Sequence, residues 1–327
     1  MPRRPLAVLI SDVHYSLSTY EIADKAFRSA IDKAAELEVP LIDCGDLTND
    51  KAILRAEVVN TLLNTAAYAK NRGVGLFLLV GNHSLLNEKS KEHALNFLAP
   101  FCYVTDYPRT FAKFNFIPYQ SESADFLHAL KQFPKGSIVI GHQGTLGGSM
   151  GHYIQDSSAF DPDEAKDHTV FLGHYHQHYK LGTTVSVGNP YTLSFGEAND
   201  PPKGFLILYS DGSYERVLTN LRKHVKIERT VEDLYGKLDN VRDGDLIWLT
   251  VTGNSTEIAA LKKKEVGERL FGHLNFKFDK ICADGAVSLA APEKMTDSEL
   301  LDAVIDAGDD STFTKAELKA LWREVLA

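Results

Sequence analysis

Residues 6–14, LAVLISDVH, carry an unbroken apolar run straight into two metal-ligand side chains, Asp12 and His14. Four further runs end the same way: LIDCGD (41–46) at Asp46, LFLLVGNH (76–83) at Asn82 and His83, IVIGHQ (138–143) at His142, and VFLGHYH (170–176) at His174 and His176. Short apolar runs of this kind read as strands of a parallel sheet. Helical periodicity fills the intervals. Residues 18–38 carry Ile22, Ala26, Ala30 and Ile31 behind a capping box with Ser18 as N-cap and Glu21 three positions on, and residues 52–70 carry Val58, Val59, Leu62 and Leu63. A shorter helix is expected over 88–97. Strands alternating with helices predict βαβ units and an α/β fold.

In open α/β sheets the ligand crevice lies outside the carboxyl ends of the strands, so these donors are expected along a single edge of one parallel sheet. Residues two apart on a strand point the same way, which pairs Asp12 with His14 and His174 with His176. Gly45, Gly81, Gly141 and Gly173 stand just before a ligand, where the chain turns tightly or another group comes close. Carboxylate, imidazole and amide donors without a thiolate suit manganese, iron or zinc. The donors are too many for one ion and divide into two sites sharing a bridging carboxylate, the arrangement used for in-line displacement at phosphorus.

In this order, D-x-H, G-D, G-N-H, G-H and G-H-x-H resemble the calcineurin-like metallophosphoesterases. After GHYH, the stretch VGNPYTLSFGE (187–197) followed by KGFLIL is similar to the G-S-P…L-S-F-x-E segment of SbcD-type double-strand-break repair nucleases. The resemblance implies an αββα sandwich with a small α+β capping domain and a C-terminal helical pair. It places Asp12, His14, Asp46 and His176 on one metal and Asp46, Asn82, His142 and His174 on the other, with Asp46 bridging. Two divalent ions, manganese by the same likeness, would be the cofactors. His83 matches the catalytic histidine, which protonates or stabilises the leaving oxygen, a role suited to an imidazole. Asn189, within the second motif, is a candidate for contact with substrate or support of a ligand.

Three positions depart from the family pattern. Ser84 stands where G-N-H-D has its aspartate, Asn49 where the repair nucleases carry His or Asp, and DVHYS lacks the glycine of D-x-H-L-G. Asp50 is a candidate substitute for the residue at 49. These changes leave the metal ligands in place and bear on nuclease efficiency. The glycine-rich stretch 144–167, with His152, is expected to form a loop or lid facing substrate.

The chain has 327 residues, 44% hydrophobic and 24% charged, with net charge -9, the composition of a soluble globular protein of about two domains. No apolar run is long enough to span a membrane and the N-terminus does not read as a signal peptide. Cys44, Cys102 and Cys282 are odd in number and widely spaced, which argues against a disulfide framework and for a reducing cytoplasm. The paired prolines of NDPPKG mark a break near 199–203, after which GFLILYS and a turn at Asp211-Gly212 complete the first domain. The domains are therefore read as 1–219, 220–291 and 292–327, which by the resemblance would be the phosphoesterase, a capping domain that helps select DNA, and the helical pair. In the second, HVKIERT, DLIWLTVTG and FKFDKICAD read as strands, and VEDLYGKLDN and TEIAALKKKEVGERLF as helices. No segment is strongly basic, as a stand-alone DNA binder would be. The tail presents two capped amphipathic helices whose apolar faces are Leu300, Leu301, Val304 and Ile305, then Leu318, Leu321, Trp322 and Val325. By resemblance these dock on the coiled coil of an SbcC-like ATPase; the alternative is packing on the chain's own capping domain.

Together these readings predict a manganese-dependent DNA exonuclease or endonuclease subunit of an SbcCD-like repair and recombination complex, with DNA and the ATPase as partners and homodimerisation left open. Two alternatives stand beside it: a small-nucleotide phosphodiesterase or phosphatase, and a non-catalytic subunit that tethers DNA ends.

Overall fold

Alternate side chains of each apolar run leave for opposite faces, and in this chain both faces are covered. The computed structural model describes residues 3–51, 53–87, 91–148, 158–238, 240–272 and 276–283. In chain order the first elements are β1 (Pro5–Ile10), α1 (Tyr20–Glu36), β2 (Leu41–Asp43), α2 (Ala56–Asn71), β3 (Leu76–Leu79) and β4 (Tyr103–Thr105). Then come β5 (Arg109–Phe111), β6 (Phe114–Ile117), α3 (Ser123–Leu130), β7 (Ile138–His142), β8 (Thr169–Gly173), β9 (Tyr179–Leu181), β10 (Thr184–Ser186), β11 (Gly204–Tyr209) and β12 (Tyr214–Leu218). They build two six-stranded sheets, ordered β12-β11-β1-β2-β3-β4 and β5-β6-β7-β8-β10-β9. β1 to β4 run parallel, as do β6, β7, β8 and β10, while β11, β12, β5 and β9 pair antiparallel at the flanks.

Three buried clusters define the layers. Val8, Ile10, Leu41, Leu76 and Leu78 of the first sheet pack with Phe27, Ile31, Leu62 and Ala66 of α1 and α2. Their strand neighbours Ala7, Leu9, Ile42, Phe77 and Leu79 face the other way, against Phe116, Ile140 and Phe171 of the second sheet. Val139, Val170 and Leu172 then meet Phe126 and Leu130 of α3. The order helix, sheet, sheet, helix is the predicted αββα sandwich. A fully buried Leu, Ile or Phe contributes roughly 1.5–3 kcal/mol, so the inter-sheet layer fixes which sheet edges meet. One expectation changes: the five ligand-bearing runs enter two sheets, not one. β1, β2 and β3 lie side by side in the first and β7 and β8 in the second.

The helix expected from Ser18 begins at Tyr20, and the predicted capping box does not form. Its N-cap is Thr19, whose hydroxyl instead donates to the His14 carbonyl at 2.7 Å. That bond ties the helix start to the ligand-bearing loop. The helix expected over 88–97 is a short 3-10 turn at Ala94–Leu98. β13 (His224–Thr230), β14 (Leu246–Gly253) and β15 (Phe276–Cys282) form a third sheet in that order. Residues 231–235, the start of VEDLYGKLDN, form turns rather than a helix, with Gly236 donating its N–H to the Asp233 carbonyl, and the following helical stretch is two pieces, α4 (Ser255–Ala260) and α5 (Lys263–Leu270).

By contact the chain separates into Met1–Ile227, Lys237–Leu249 and Asn275–Lys277 as one unit, and Glu228–Gly236, Thr250–Leu274 and Phe278–Ala327 as another. His152 and the tail residues Leu300, Leu301, Val304, Ile305, Leu318, Leu321, Trp322 and Val325 lie outside the described residues. Among the described residues, no helix is long and apolar enough to cross a membrane.

Candidate metal centre

His142 closes β7, but Asp12, His14, His174 and His176 lie beyond the ends of their strands, so strand alternation is not what pairs them. β1 stops at Ile10 and β8 at Gly173. Asp12, His14, Asp46 and His174 instead take left-handed backbone conformations, with φ of 52°, 51°, 56° and 97°. Residues with side chains pay for that region, and such strain collects at functional sites. Here the loops are held by one another. Asp12 and His14 donate backbone N–H to the Gly45 and Asp46 carbonyls at 3.0 Å each, and Tyr15 donates to Leu47 at 2.8 Å. The two loops thereby continue as one irregular ribbon beyond the first sheet.

Glycines make the packing of these turns feasible. A Cβ on Gly81 would collide with the Asp46 carboxylate, one on Gly45 with the His142 ring, and one on Gly173 with the Ser11 hydroxyl and the Cys44 carbonyl. Gly45 also needs its φ of 109°.

Two groups of donors result, Asp12/His14/His176 and Asp46/His142/His174, the ligand atoms within each lying within 4.8 Å of one another. Asn82 joins the second: its Oδ1 sits 3.1 Å from His142 Nε2 and 3.0 Å from His174 Nδ1. Both Asp12 oxygens accept the His174 backbone N–H at 3.1 Å, and Ser11 donates its hydroxyl to Oδ2 at 2.6 Å. Asp46 Oδ1 accepts the His83 backbone N–H at 2.8 Å, and Oδ2 lies 3.1 Å from His142 Nε2.

The donor chemistry asks for a cation in each group. A carbonyl only accepts, so the 2.9 Å contact from Cys44 O places a proton on His142 Nδ1 and leaves Nε2 facing two acceptors, Asn82 Oδ1 and Asp46 Oδ2. Burial alone would lower the pKa of His142. The Asp46 charge and hydrogen bond override it and raise it to about 9, so Nε2 holds a proton where a metal would fit. Burial likewise pushes the Asp46 carboxyl up, but His142, His14 and His83 more than reverse this and hold it ionised, well below the usual carboxylate range. In the other group the Nε2 atoms of His14 and His176 face each other at 3.2 Å. His14 is pushed down to about 4, first by burial and then by the nearby His176 and His83 against the pull of Asp46 and Asp12, and so is a neutral ligand. Its Nδ1 is a buried atom without a hydrogen-bond partner. These oxygen and nitrogen sets fit two divalent ions of the manganese, iron or zinc type.

His83 stands beside the first group, its ring 4.8 Å from that of His14 and perpendicular to it. Its Nδ1 lies 2.9 Å from the Asn49 carbonyl oxygen, which can only accept, so Nδ1 bears the proton and Nε2 is the exchanging nitrogen. The backbone of Asn49 thus orients His83. The Asn49 amide is spent on Asp50 Oδ1 at 3.1 Å, and Ser84 is buried with its hydroxyl unbonded. Asn189 is buried and donates to Glu197 at 3.0 Å.

Two contributors escaped the sequence reading. Tyr119 sets its ring 5.9 Å from His174 and 6.3 Å from His142. Glu197, the last letter of VGNPYTLSFGE, accepts His176 Nδ1–H at 2.8 Å. Periodicity gave no hint of either; the motif around Glu197 was visible, its role was not.

No protein-family model matches the chain, and no curated protein matches it significantly. Among solved structures it is similar to the Pseudomonas putida nuclease MPE, at 15% identity over 64% of this chain and 87% of that one, with a TM-score of 0.32. A dimetal phosphatase from Danio rerio is similar at 12% identity over 66% of this chain and all of the other, with a TM-score of 0.37. At those scores the likenesses carry no weight for the chemistry.

Proposed function

We propose that the chain is a two-metal phosphodiesterase that cuts DNA, the nuclease subunit of an SbcCD-like complex, working with manganese. One observation supports the reaction class above all: two adjoining groups of oxygen and nitrogen donors, Asp12/His14/His176 and Asp46/His142/His174, with His83 beside them. Ions held there would polarise a phosphoryl oxygen and make a nucleophile available at neutral pH. Asp12, His14 and His176 would hold one, Asn82, His142 and His174 the other, with Asp46 shared. The protein's own part is preorganisation. Interlocked loop backbones fix the ligands before substrate arrives, so little reorganisation is left for the reaction. The Asn49 carbonyl holds His83 Nδ1–H and leaves Nε2 facing the site; as the imidazolium, His83 would give its Nε2 proton to the departing oxygen and be left as the neutral Nδ1–H ring.

DNA as substrate and an ATPase as partner rest on VGNPYTLSFGE and on the capped helical sequence of the tail. The net charge of -9 favours a second reading, hydrolysis of small nucleotides without a partner. Incubating purified protein with Mn2+ and either linear DNA or a cyclic dinucleotide, with and without residues 292–327, separates the two. DNA cleavage that falls on truncation supports the first; cleavage confined to the small substrate and indifferent to truncation supports the second. No hydrolysis of either, with Mn2+, Fe2+ or Zn2+, rejects the enzyme.

A further inference from the structure

Glu197 belongs to neither donor group, yet it is tied to one of them by an extensive set of bonds. Its Oε1 accepts His176 Nδ1–H at 2.8 Å; its Oε2 accepts the Asn189 amide and the Leu193 backbone N–H, each at 3.0 Å. Lys203 Nζ approaches the same Oε2 at 3.2 Å and also donates to Asp200 Oδ2 at 2.6 Å and to the His176 carbonyl at 3.1 Å. The lysine therefore grips both Glu197 and the backbone of the histidine that Glu197 holds. Side-chain exposures of 12%, 7% and 9% for Glu197, Lys203 and Asp200 make this a desolvated cluster. Burying three charges is costly unless each is paired, and apolar side chains would tie down the 189–203 segment as stably. What apolar side chains would not supply is a carboxylate on His176 Nδ1. That bond puts the proton on Nδ1 and turns Nε2, as a lone pair, toward His14.

The second donor group is held differently. His142 takes its orientation from the Cys44 backbone carbonyl, and Asn82 spans His142 and His174. The ligand loops are bonded to one another, but the side-chain braces on His176 and on His142 come from different parts of the chain.

Resting on the two-metal reading, we infer that Glu197, braced by Lys203, is a positioning residue for His176 and tunes the Asp12/His14/His176 site selectively. Segment 189–203 thereby becomes a support of one metal site and not of the other. The consequence is a dimetal centre whose two affinities can be changed separately.

The test is Mn2+ binding to the metal-free full chain, followed by calorimetry and by the EPR signal of free Mn2+. The wild type binds two ions. Glu197→Ala keeps one at wild-type affinity and binds the other 10–100-fold more weakly. Glu197→Gln, which retains one acceptor oxygen for His176 but turns an amide toward the remaining donors, weakens the same single site by less and carries the test if the alanine variant fails to fold. Lys203→Met moves affinity in the same direction. Ser194→Ala, which removes the hydroxyl accepting the Gly196 N–H in the same turn without touching His176, is the control for mere loosening and leaves both sites intact. Equal weakening of both sites, no weakening of either, or an equal effect from Ser194→Ala overturns the inference alone. A wild-type chain that binds fewer than two ions overturns the two-metal reading with it.

Discussion

Replacing Gly81 by alanine should disable the centre through a single methyl group. Gly81 does not need a left-handed backbone, so the cost is steric rather than conformational. An ideal Cβ there would sit 2.5 Å from the Asp46 backbone nitrogen and 2.8 Å from its Cγ, where real contacts stay beyond 3.0 Å. Asp46 Oδ1 would be closer still, so something must move by well over half an ångström. Asp46 is the neighbour in the way, and it cannot rotate aside: His83 N–H holds one oxygen, His142 faces the other, and its backbone is already left-handed. Metal–ligand distances tolerate about 0.2 Å, and misplacement of reacting groups by an ångström costs roughly 100-fold in rate. Overpacking of this kind costs about 1–3 kcal/mol of stability, which a domain of this size survives. Gly81→Ala should therefore fold, bind Mn2+ at least 10-fold more weakly and lose about 100-fold in kcat/KM on a phosphodiester. Gly75→Ala is the control, since its Cβ would meet nothing closer than 3.9 Å and its backbone is ordinary. A Gly81→Ala protein with wild-type metal affinity and turnover would refute the packing argument.

His83→Ala should lower kcat by about 100- to 10,000-fold while both ions still bind, as read by turnover beside calorimetry; a matching loss of metal would make His83 a ligand instead. Ser84→Asp, which puts a carboxylate beside His83, should not raise activity. Residue 84 is fully buried and Asn49 already orients His83, so an unpaired carboxylate there should lower the melting temperature, and a faster enzyme would contradict the assignment. The metal-free protein should lose stability in alkali. His142 is raised from 6.5 to about 9 by Asp46, so its stabilisation is complete below about pH 6.5 and disappears as pH rises through 9. Glu197 is held down to about 2, so its contribution is present above about pH 4.5 and disappears as pH falls toward 2. Melting temperatures across pH 3–10 check both signs, and Mn2+ should abolish the alkaline loss by taking the proton's place at His142. A metal-free protein that gains stability from pH 6.5 to 9 would count against the His142–Asp46 pairing.

Strands apolar on both phases, Val8/Ile10 and Ala7/Leu9 or Leu76/Leu78 and Phe77/Leu79, are covered on each face, but the αββα order of the layers was expected only from the family resemblance, because the pattern by itself pointed to one sheet. The ligand residues were legible because each follows such a run. Their distribution over two sheets was not, since strand pairing is a long-range choice that no local pattern records. Nor was the reason Asp12 and His14 converge: alternation predicts it for a strand, while the protein uses left-handed turns after the strand has ended. Ser18 had the residue types for a helix cap, but the Thr19 hydroxyl was committed to the His14 carbonyl and the helix start moved. The Asn49 contact to His83 comes from a backbone carbonyl, which side-chain chemistry in a sequence cannot advertise.

Metal stoichiometry at named residues tests the two-metal centre most directly. A crystal of the full chain soaked in Mn2+ should give two anomalous peaks, one among Asp12, His14 and His176 and one among Asn82, His142 and His174, with Asp46 between them. No peak, a single peak, or ions bound away from these side chains would contradict it.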